Sequence, residues 1–461
     1  MTNIKVDFLH WDIETLTHAY QTKQLSPVDV MKVMLERISH DELNAFITVT
    51  ADDAIAEAKQ AEDEINAGIS KGPLHGVPIA IKDIIFTEGV RTTMGSDIYS
   101  DYIPTYDATA VQKLKEAGAI IVGKLNTQQF AYGATGDRSH VGPVKNPHNK
   151  EKMSGGSSSG SVAAVASSLC YGALGTDTGG SIRIPSSFGG IVGMKPTFGR
   201  VSKYGAYPLC WSMDHIGPMT RTVKDNALLL NVLSGYDERD EYSIEREPED
   251  FTRFLTRGIE GSVIGVLDFK NDPNINEQVR QQTLQAVETF RSLGAEIKYV
   301  EIPEMADIMA AFRTILRSEA YAVHEERLST SDQYDDEVKE RLLTGQSVSI
   351  REYVEAGQVK QAAIRKYHKI FEEVDVLITP TVPILPANIG QREIDIDGRA
   401  VHINLLLNYF TGALNITGLP SMSIPNGFSD CKLPIGLQII GKEFDEANMY
   451  RFAYAFEQSN K

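Results

Sequence analysis

The sequence is poor in cysteine, with only Cys170, Cys210 and Cys431 among its 461 residues. The three lie far apart and form no CxxC pair and no Cys/His cluster with the spacing of metal ligands. This excludes a disulfide framework and a zinc site, so no metal is expected. We predict three free, buried thiols, because an unpaired cysteine usually packs as a small apolar side chain.

Basic charge is also scarce, and long apolar runs are missing. The chain has 45 lysines and arginines against 62 aspartates and glutamates, a formal net charge of −17. Nucleic-acid binding needs a clustered basic surface, so no direct nucleic-acid partner is expected. The N-terminus lacks the basic region followed by an apolar region that a signal peptide has. Nowhere in the chain do about 18 apolar residues follow one another, as in a transmembrane helix. We therefore expect a soluble, cytoplasmic protein with no membrane partner.

The rest of the composition is that of a globular protein, with 42% hydrophobic and 23% charged residues. Helical periodicity and apolar runs alternate along the chain, which is typical of an α/β fold. We predict one large mixed α/β domain over 1–461, with an N-terminal helical layer at 1–70 and a variable, cap-like segment at 236–370. The predicted elements are a helix that begins after Ser26, helices at 52–66, 108–117 and 276–293, and strands at 77–85, 119–123, 263–267, 296–300, 374–380 and 435–440.

One stretch, 155–187, holds nine serines and no histidine. Its glycine and serine content allows a flexible linker, but apolar residues such as Val162 and Leu169 argue against a solvated chain. A phosphate-binding loop is a second interpretation, although neither of the glycine-rich phosphate motifs occurs there. The third interpretation is the floor of an active site.

Within this stretch, Gly156 to Gly160 match G-x-S-x-G, the nucleophile elbow of α/β-hydrolases, which would select Ser158. The match is weak, because any serine triplet between glycines produces it. An elbow also needs a histidine and an acid elsewhere in the chain. The candidate histidines are His215, His324, His368 and His402.

Lys82 interrupts the apolar run at 77–85, an unfavourable place for a charge. A lysine buried there can be neutral near pH 7 and act as a base, because desolvation disfavours the ammonium form. A snorkelling or salt-bridged lysine is the alternative. Asp83 is a poor candidate for its partner, since neighbours along a strand point to opposite faces.

Six short blocks resemble a known family. They are GVPIAIKD at 76–83, GGSSSGS at 155–161, GTDTGGSIRIPSSFGGIVGMKPTFGRVS at 175–202, DHIGPMTRTVKD at 214–225, TPTVP at 379–383 and GLPSMSIP at 418–425. Together they resemble the amidase signature family of serine amidohydrolases, over almost the whole chain and most weakly at 236–370. The resemblance implies a large mixed β-sheet covered by helices on both faces. It also implies an enzyme that hydrolyses amide C–N bonds without a cofactor.

The resemblance further implies a Ser-Ser-Lys triad, which needs no histidine. Ser181 matches the nucleophile that forms the acyl-enzyme, Ser157 the bridging serine and Lys82 the base. The leaving group is ammonia or an amine. The family also has a cis peptide bond before the bridging serine, which corresponds here to Gly156–Ser157.

The residues around the triad are assigned on the same resemblance. The oxyanion is assigned to the backbone N–H groups of Thr178, Gly179, Gly180 and Ser181. Three further side chains are expected to support the triad, namely Ser158, Asp177 and Arg183. For Asp177 and Arg183, a plain structural ion pair is the equal alternative.

The substrate is the least readable feature. One branch of the family, the A subunits of glutamyl-tRNA(Gln) amidotransferases, hydrolyses glutamine and passes ammonia to partner subunits. Arg341 matches the arginine that this branch uses for the substrate α-carboxylate. Asn408, however, replaces the aspartate that pairs with the α-ammonium, and Ser159 replaces a glycine of the serine-rich block. A buried amino group without its carboxylate loses its charge partner.

We therefore favour a free-standing amidase for a small or medium amide without an α-amino group, and expect Tyr132, Arg341 and Asn408 to contact it. The alternative is the glutaminase A subunit, with amidotransferase partner subunits. A third hypothesis, an inactive relative that only binds a ligand, is opposed by the intact triad positions. The sequence leaves the oligomeric state open, a homo-oligomer included.

Overall fold

The computed structural model describes residues 7–396 and 398–460, and within these ranges eleven strands form one mixed sheet. Across the sheet these strands are β1 (Phe46–Val49), β3 (Ile120–Leu125), β2 (Pro78–Lys82), β6 (Gly172–Asp177), β8 (His215–Thr220), β7 (Val192–Lys195), β14 (Ser421–Phe428), β15 (Pro434–Ile440), β11 (Val376–Pro380), β9 (Val263–Leu267) and β10 (Glu296–Val300). Two small hairpins pair β4 (Lys145–Asn146) with β5 (Asn149–Met153), and β12 (Glu393–Ile396) with β13 (Arg399–His402).

Of the helices that the structure describes, the four predicted from periodicity, α2, α3, α4 and α8, are present, and for α3, α4 and α8 the predicted bounds agree within one residue at each end. They are α1 (Ile13–Gln21), α2 (Pro27–Ser39), α3 (Ala51–Asn66), α4 (Thr109–Glu116), α5 (Ser159–Ala166), α6 (Arg183–Gly189), α7 (Val223–Leu233), α8 (Glu277–Ser292), α9 (Met305–Leu328), α10 (Asp336–Leu343), α11 (Ile350–Ile370), α12 (Gly412–Ile416) and α13 (Glu446–Ser459). At the start of α2, the Ser26 hydroxyl accepts hydrogen bonds from the N–H groups of Val28 and Asp29, as an N-cap serine does. The predicted helical layer at 1–70 corresponds to α1, α2 and α3 together with the edge strand β1; its residues 1–6 lie outside the described residues.

Strand β2 separates two parts of the hydrophobic core. Ile79 and Ile81 belong to one buried cluster, which includes residues of α4 and α7, whereas Ala80 belongs to another, with residues of α2, α3 and α5. Successive strand residues point to opposite faces. Helices therefore cover both faces of the sheet, as predicted, and Lys82 is directed to the same face as Ala80 and α5.

The segment at 236–370 contributes to the central sheet. Strands β9 and β10 pair in parallel around α8, and their bounds are those predicted. This part of the segment therefore belongs to the core, and for α9, α10 and α11 the cap stays a prediction.

Two features of the sequence concern the surface. Cys170 and Cys210 are buried, as predicted, but the prediction is wrong for Cys431, which is exposed because it lies in the turn between β14 and β15. Within the described ranges, the helices are too short or too polar to cross a membrane.

Candidate active site

Lys82 is the last residue of β2, and its side chain is fully buried. Its Nζ lies 2.7 Å from the Ser157 Oγ, 3.0 Å from the Ser158 Oγ and 2.7 Å from the Thr176 Oγ1. In the described part of the chain, no carboxylate forms an ion pair with this amine. Burial lowers the pKa of Lys82 to about 7, although two nearby carboxylates act in the opposite direction.

The neighbouring Asp83 is not bonded to Lys82, as expected for two successive residues of the predicted strand, whose side chains point to opposite faces. Its Oδ2 accepts hydrogen bonds from the Thr93 N–H and hydroxyl. A second buried lysine, Lys124, lies 3.9 Å from its Oδ1, and burial lowers the pKa of this lysine to about 8. The sequence analysis missed Lys124, which stands in a run that reads simply as a strand.

Ser157 and Ser158 precede α5 and are fully buried. The Gly156–Ser157 peptide bond is cis, as the family resemblance implies. A Cβ at Gly156 would lie 2.8 Å from the Gly136 backbone nitrogen, which explains the need for glycine at this position. The next serine, Ser159, donates a hydrogen bond to the Asn126 carbonyl, so its hydroxyl serves the backbone rather than Lys82.

The hydroxyl of Ser158 is engaged with Lys82 and with the backbone of Thr176. It accepts from the Thr176 N–H at 3.2 Å and donates to the Thr176 carbonyl at 3.2 Å. Among the described residues no histidine is bonded to Ser158, so nothing in its surroundings favours the nucleophile elbow. The candidate histidines have other partners; His215 is bonded to Lys195, and His324 to Tyr334.

The turn after β6 is held by the carboxylate of Asp177. This group accepts hydrogen bonds from the Gly180 N–H at 2.7 Å and from the Arg183 Nε and Nη2 at 3.0 and 2.9 Å. Arg183 and Asp177 are both fully buried. Burial would raise the pKa of Asp177, but the charge and the hydrogen bonds of Arg183 outweigh this effect and hold the pKa well below its usual range.

This arrangement corrects one part of the predicted oxyanion site. The Gly180 N–H already donates to Asp177, so it is not free to bind an oxyanion. The N–H groups of Thr178, Gly179 and Ser181 have no acceptor within the described ranges. Three of the four predicted donors are therefore available, because the Asp177 side chain folds back onto its own turn.

Ser181 lies at the end of the turn and lines a cavity of about 290 Å³. Its carbonyl accepts a hydrogen bond from the Ser158 N–H at 3.2 Å. Its hydroxyl makes no hydrogen bond to Ser157 in the described structure, so Lys82 is hydrogen-bonded to Ser157 but Ser157 is not hydrogen-bonded to Ser181. Hydrogen bonds to a nucleophile often form only in the substrate complex.

The three residues predicted to contact the substrate, Tyr132, Arg341 and Asn408, all line this cavity. Burial raises the pKa of Tyr132 to about 12. Arg313 and Arg317, one turn apart on α9, line it as well and were missed by the sequence analysis. Only the fold brings these two arginines to the nucleophile, since they are far from the other blocks in sequence.

The cavity is positively charged. Among its described lining residues there are three arginines and no aspartate or glutamate. The Arg341 Nη2 donates to Glu337 at 2.8 Å, but Glu337 also accepts from the Arg392 Nε at 2.9 Å. One shared carboxylate therefore neutralises Arg341 only in part. The arrangement is suited to a substrate that carries a carboxylate.

A family model called Amidase matches residues 29–449. The A subunit of the glutamyl-tRNA(Gln) amidotransferase of Geobacter metallireducens is 39% identical over 475 residues, which cover 97% of this chain and 96% of that protein. Among solved structures, one described as a vestigial protein complex that reveals the evolutionary origins of an s-triazine catabolic enzyme has a TM-score of 0.94 at 31% identity, over 97% of this chain and 98% of that chain. A bacterial aryl acylamidase has a TM-score of 0.89 at 28% identity, over 97% and 96%. The chain therefore belongs to the amidase signature family, enzymes that hydrolyse amide C–N bonds.

Proposed function

We propose that this enzyme cleaves its amide through an acyl-enzyme on Ser181, with Lys82 as the base and Ser157 between them. The observation that carries this proposal is a fully buried lysine whose side-chain partners are three hydroxyl groups. A buried ammonium without a counter-ion is costly, so the neutral amine, which can accept a proton, is favoured near pH 7.

The hydrogen bonds around Lys82 favour one direction of proton transfer. Ser158 uses its proton on the Thr176 carbonyl, so it can only accept from the lysine. A neutral amine has two N–H donors and one lone pair, and one donor is thereby committed. The lone pair of the amine remains to accept the proton of the Ser157 or the Thr176 hydroxyl. Of these two, Ser157 is the residue next to Ser158, whose backbone N–H donates to the Ser181 carbonyl. Ser157 is therefore the better candidate for the link to Ser181.

In the proposed reaction, the Ser181 proton passes to Ser157 while the Ser157 proton passes to the Lys82 Nζ. The Ser181 Oγ forms a bond with the carbonyl carbon, and the resulting oxyanion accepts hydrogen bonds from the free N–H groups of Thr178, Gly179 and Ser181. Collapse breaks the C–N bond, and the proton returns from Lys82 through Ser157 to the leaving nitrogen. Water then hydrolyses the acyl-enzyme by the reverse route.

We infer that the acyl part of the substrate carries a carboxylate. The three arginines of the 290 Å³ cavity support this; Arg317 and Arg341 are half-buried, and a half-buried guanidinium is best satisfied by a bidentate anion, whereas Arg313 is exposed. Arg341 is the proposed principal contact. Asn408, another lining residue, offers an amide where an α-ammonium would require a carboxylate.

A second candidate is the glutaminase A subunit of a glutamyl-tRNA(Gln) amidotransferase, which acts with partner subunits. Curated relatives favour it over the free-standing amidase that the sequence analysis prefers, because relatives that match nearly the full chain, such as those of Geobacter metallireducens and Enterococcus faecalis, carry this name. Both candidates share the acyl-Ser181 chemistry and a substrate carboxylate. They differ in whether the substrate carries an α-amino group and in whether the enzyme needs partner subunits.

A matched set of amides separates the candidates. Ammonia release by the purified chain would be measured with L-glutamine, with glutaramate, which lacks only the amino group, and with butyramide, which lacks the carboxylate as well; Ser181→Ala serves as the blank. Turnover of glutaramate in preference to the other two supports the free-standing amidase. Turnover of glutamine alone, or only after partner subunits are added, supports the glutaminase candidate. Equal turnover of butyramide would contradict the carboxylate proposal.

A further inference from the structure

His215 and Lys195 form a buried pair behind the turn that carries Ser181. His215 begins β8 and Lys195 ends the neighbouring strand β7. Both side chains are buried, and the Lys195 Nζ lies 3.2 Å from the His215 Nε2. In the described structure neither side chain is bonded to Lys82 or Ser157, so the proposed proton path does not use them.

The surroundings of His215 determine its tautomer. Its Nδ1 lies 2.7 Å from the Met213 carbonyl and 3.1 Å from the Asp177 carbonyl, and both can only accept a hydrogen bond. Nδ1 must therefore carry the proton, and Nε2 of the neutral ring accepts from Lys195. Burial and the nearby Lys195 lower the pKa of His215 well below its usual range, which keeps the ring in this neutral form.

The Asp177 carbonyl and the Thr178 N–H belong to one peptide unit. Such a unit is planar, and in its trans form the C=O and the N–H point in opposite directions. Because the carbonyl is directed at the His215 Nδ1, the Thr178 N–H is directed away from the His215 ring. Thr178 lines the 290 Å³ cavity together with Gly179 and Ser181, so its N–H lies at the wall of the cavity where Ser181 would react.

We propose that His215 is a positioning residue, whose Nδ1–H is shared between the Met213 carbonyl and the Asp177 carbonyl and thereby helps to aim the Thr178 N–H at the oxyanion. Lys195 holds the ring in the tautomer that this requires. The inference rests on the proposed acyl-Ser181 chemistry. It assigns a role to His215, the histidine of the DHIGP block, which has no role in the proposed triad.

His215 shares the Asp177 carbonyl with a second donor. The Asn415 Nδ2 lies 3.1 Å from the same oxygen. When the His215 bond is lost, the Asn415 bond still holds the peptide unit in part. The resulting loss of reaction rate is therefore expected to be smaller than the loss caused by removing a whole oxyanion donor. We expect a fall of about 10- to 100-fold in the rate of Ser181 attack.

The test measures the second-order rate at which a fluorophosphonate modifies the purified enzyme, across pH. His215→Phe keeps a ring but removes the donor, and should lower the plateau rate about 10- to 100-fold while the pH midpoint set by Lys82 stays in place. His215→Asn offers an amide N–H near the Nδ1 position and should recover most of the rate. Lys195→Met removes the donor at Nε2 but leaves both carbonyls at Nδ1, and should give a smaller fall in the same direction. Melting temperatures identify the variants that fold.

Several outcomes would overturn the inference. These are a wild-type rate for folded His215→Phe, an unrescued rate for folded His215→Asn, or a pH midpoint that shifts together with the fall. If His215→Phe does not fold, a wild-type rate for folded His215→Ala, which also lacks the donor, would overturn it instead. Continued modification of Ser181→Ala would contradict the acyl-Ser181 proposal itself, whatever the His215 variants do.

Discussion

The Lys82 Nζ lies 2.7 Å from the Ser157 Oγ, and both side chains are fully buried. A lysine in this position is kept from water on every side, so its proton can be exchanged only with the hydroxyl groups around it.

The activity should depend on pH through Lys82. Burial lowers its pKa to about 7, and only the neutral amine can take the proton. The value of kcat/KM should therefore be low in acid, rise with pH through about 7 and level off above it. A profile measured on the best amide of the panel, with chemistry rate-limiting, checks this. A rise only near the pKa of free lysine, about 10.4, would contradict it.

Removing the bridging hydroxyl should affect the rate and not the fold. Ser157→Ala is expected to lower kcat by about 10²- to 10⁴-fold, because the proton loses its route to Lys82. Ser161→Ala is a matched control, since Ser161 is a buried hydroxyl in α5 that donates to the Leu174 carbonyl at 3.0 Å and does not contact Lys82. The two variants should differ strongly in kcat at similar melting temperatures. Equal kcat values would exclude Ser157 from the proton path.

Arg341 should determine the affinity for the substrate carboxylate. Arg341→Gln is expected to raise KM for carboxylate-bearing amides by about 10- to 100-fold, in keeping with the loss of a charge-assisted hydrogen bond. Arg351→Gln, on an exposed position of α11, is the control. An unchanged KM in the Arg341 variant would remove this residue from the binding site.

The substitution Asn408→Asp tests whether Asn408 makes the enzyme prefer a substrate without an α-amino group. A carboxylate at this place in the cavity should favour an α-ammonium, and the ratio of kcat/KM for L-glutamine to that for glutaramate should rise by about tenfold or more. Asn404, another lining residue, provides Asn404→Asp as the control for added charge. If both variants change the ratio equally, Asn408 has no specific role.

The buried pair Asp177–Arg183 should be important for stability. Arg183→Met leaves the Asp177 carboxylate buried without its partner and should reduce the free energy of unfolding by about 3–5 kcal/mol. Because the pKa of Asp177 is depressed in the folded state, this stabilisation is fully present above the ordinary aspartate pKa and is lost as pH falls below it. Urea unfolding measures the change, with the exposed Arg253→Met as control. A loss equal to that of the control would contradict a structural role.

Much of the fold and of the site could be predicted from the sequence. The β-α-β unit of β9, α8 and β10 follows from periodicity, and Lys82 is conspicuous because a charge interrupts an apolar run. The strands β6, β7 and β8 were missed, because their glycines and polar residues hide the apolar pattern. A Cβ at Gly175 of β6, for example, would lie 2.8 Å from the Met219 Sδ of β8, so close packing replaces hydrophobicity as the reason for the strand.

Other features of the site depend on the tertiary structure alone. Arg313 and Arg317 look like ordinary surface residues of a helix until α9 is packed against the turn of Ser181. The engagement of the Gly180 N–H likewise depends on how the Asp177 side chain folds back, and a sequence motif carries no such information. Residue types at the site could thus be predicted, but not which backbone groups are free.

The most direct test of the central claim is to map the residue that a fluorophosphonate modifies, by peptide mass spectrometry of the wild-type enzyme and of Ser158→Ala and Ser181→Ala. The account predicts a single adduct on Ser181, retained in Ser158→Ala and absent from Ser181→Ala. An adduct on Ser158, retained when Ser181 is replaced, would contradict the Ser181–Ser157–Lys82 mechanism.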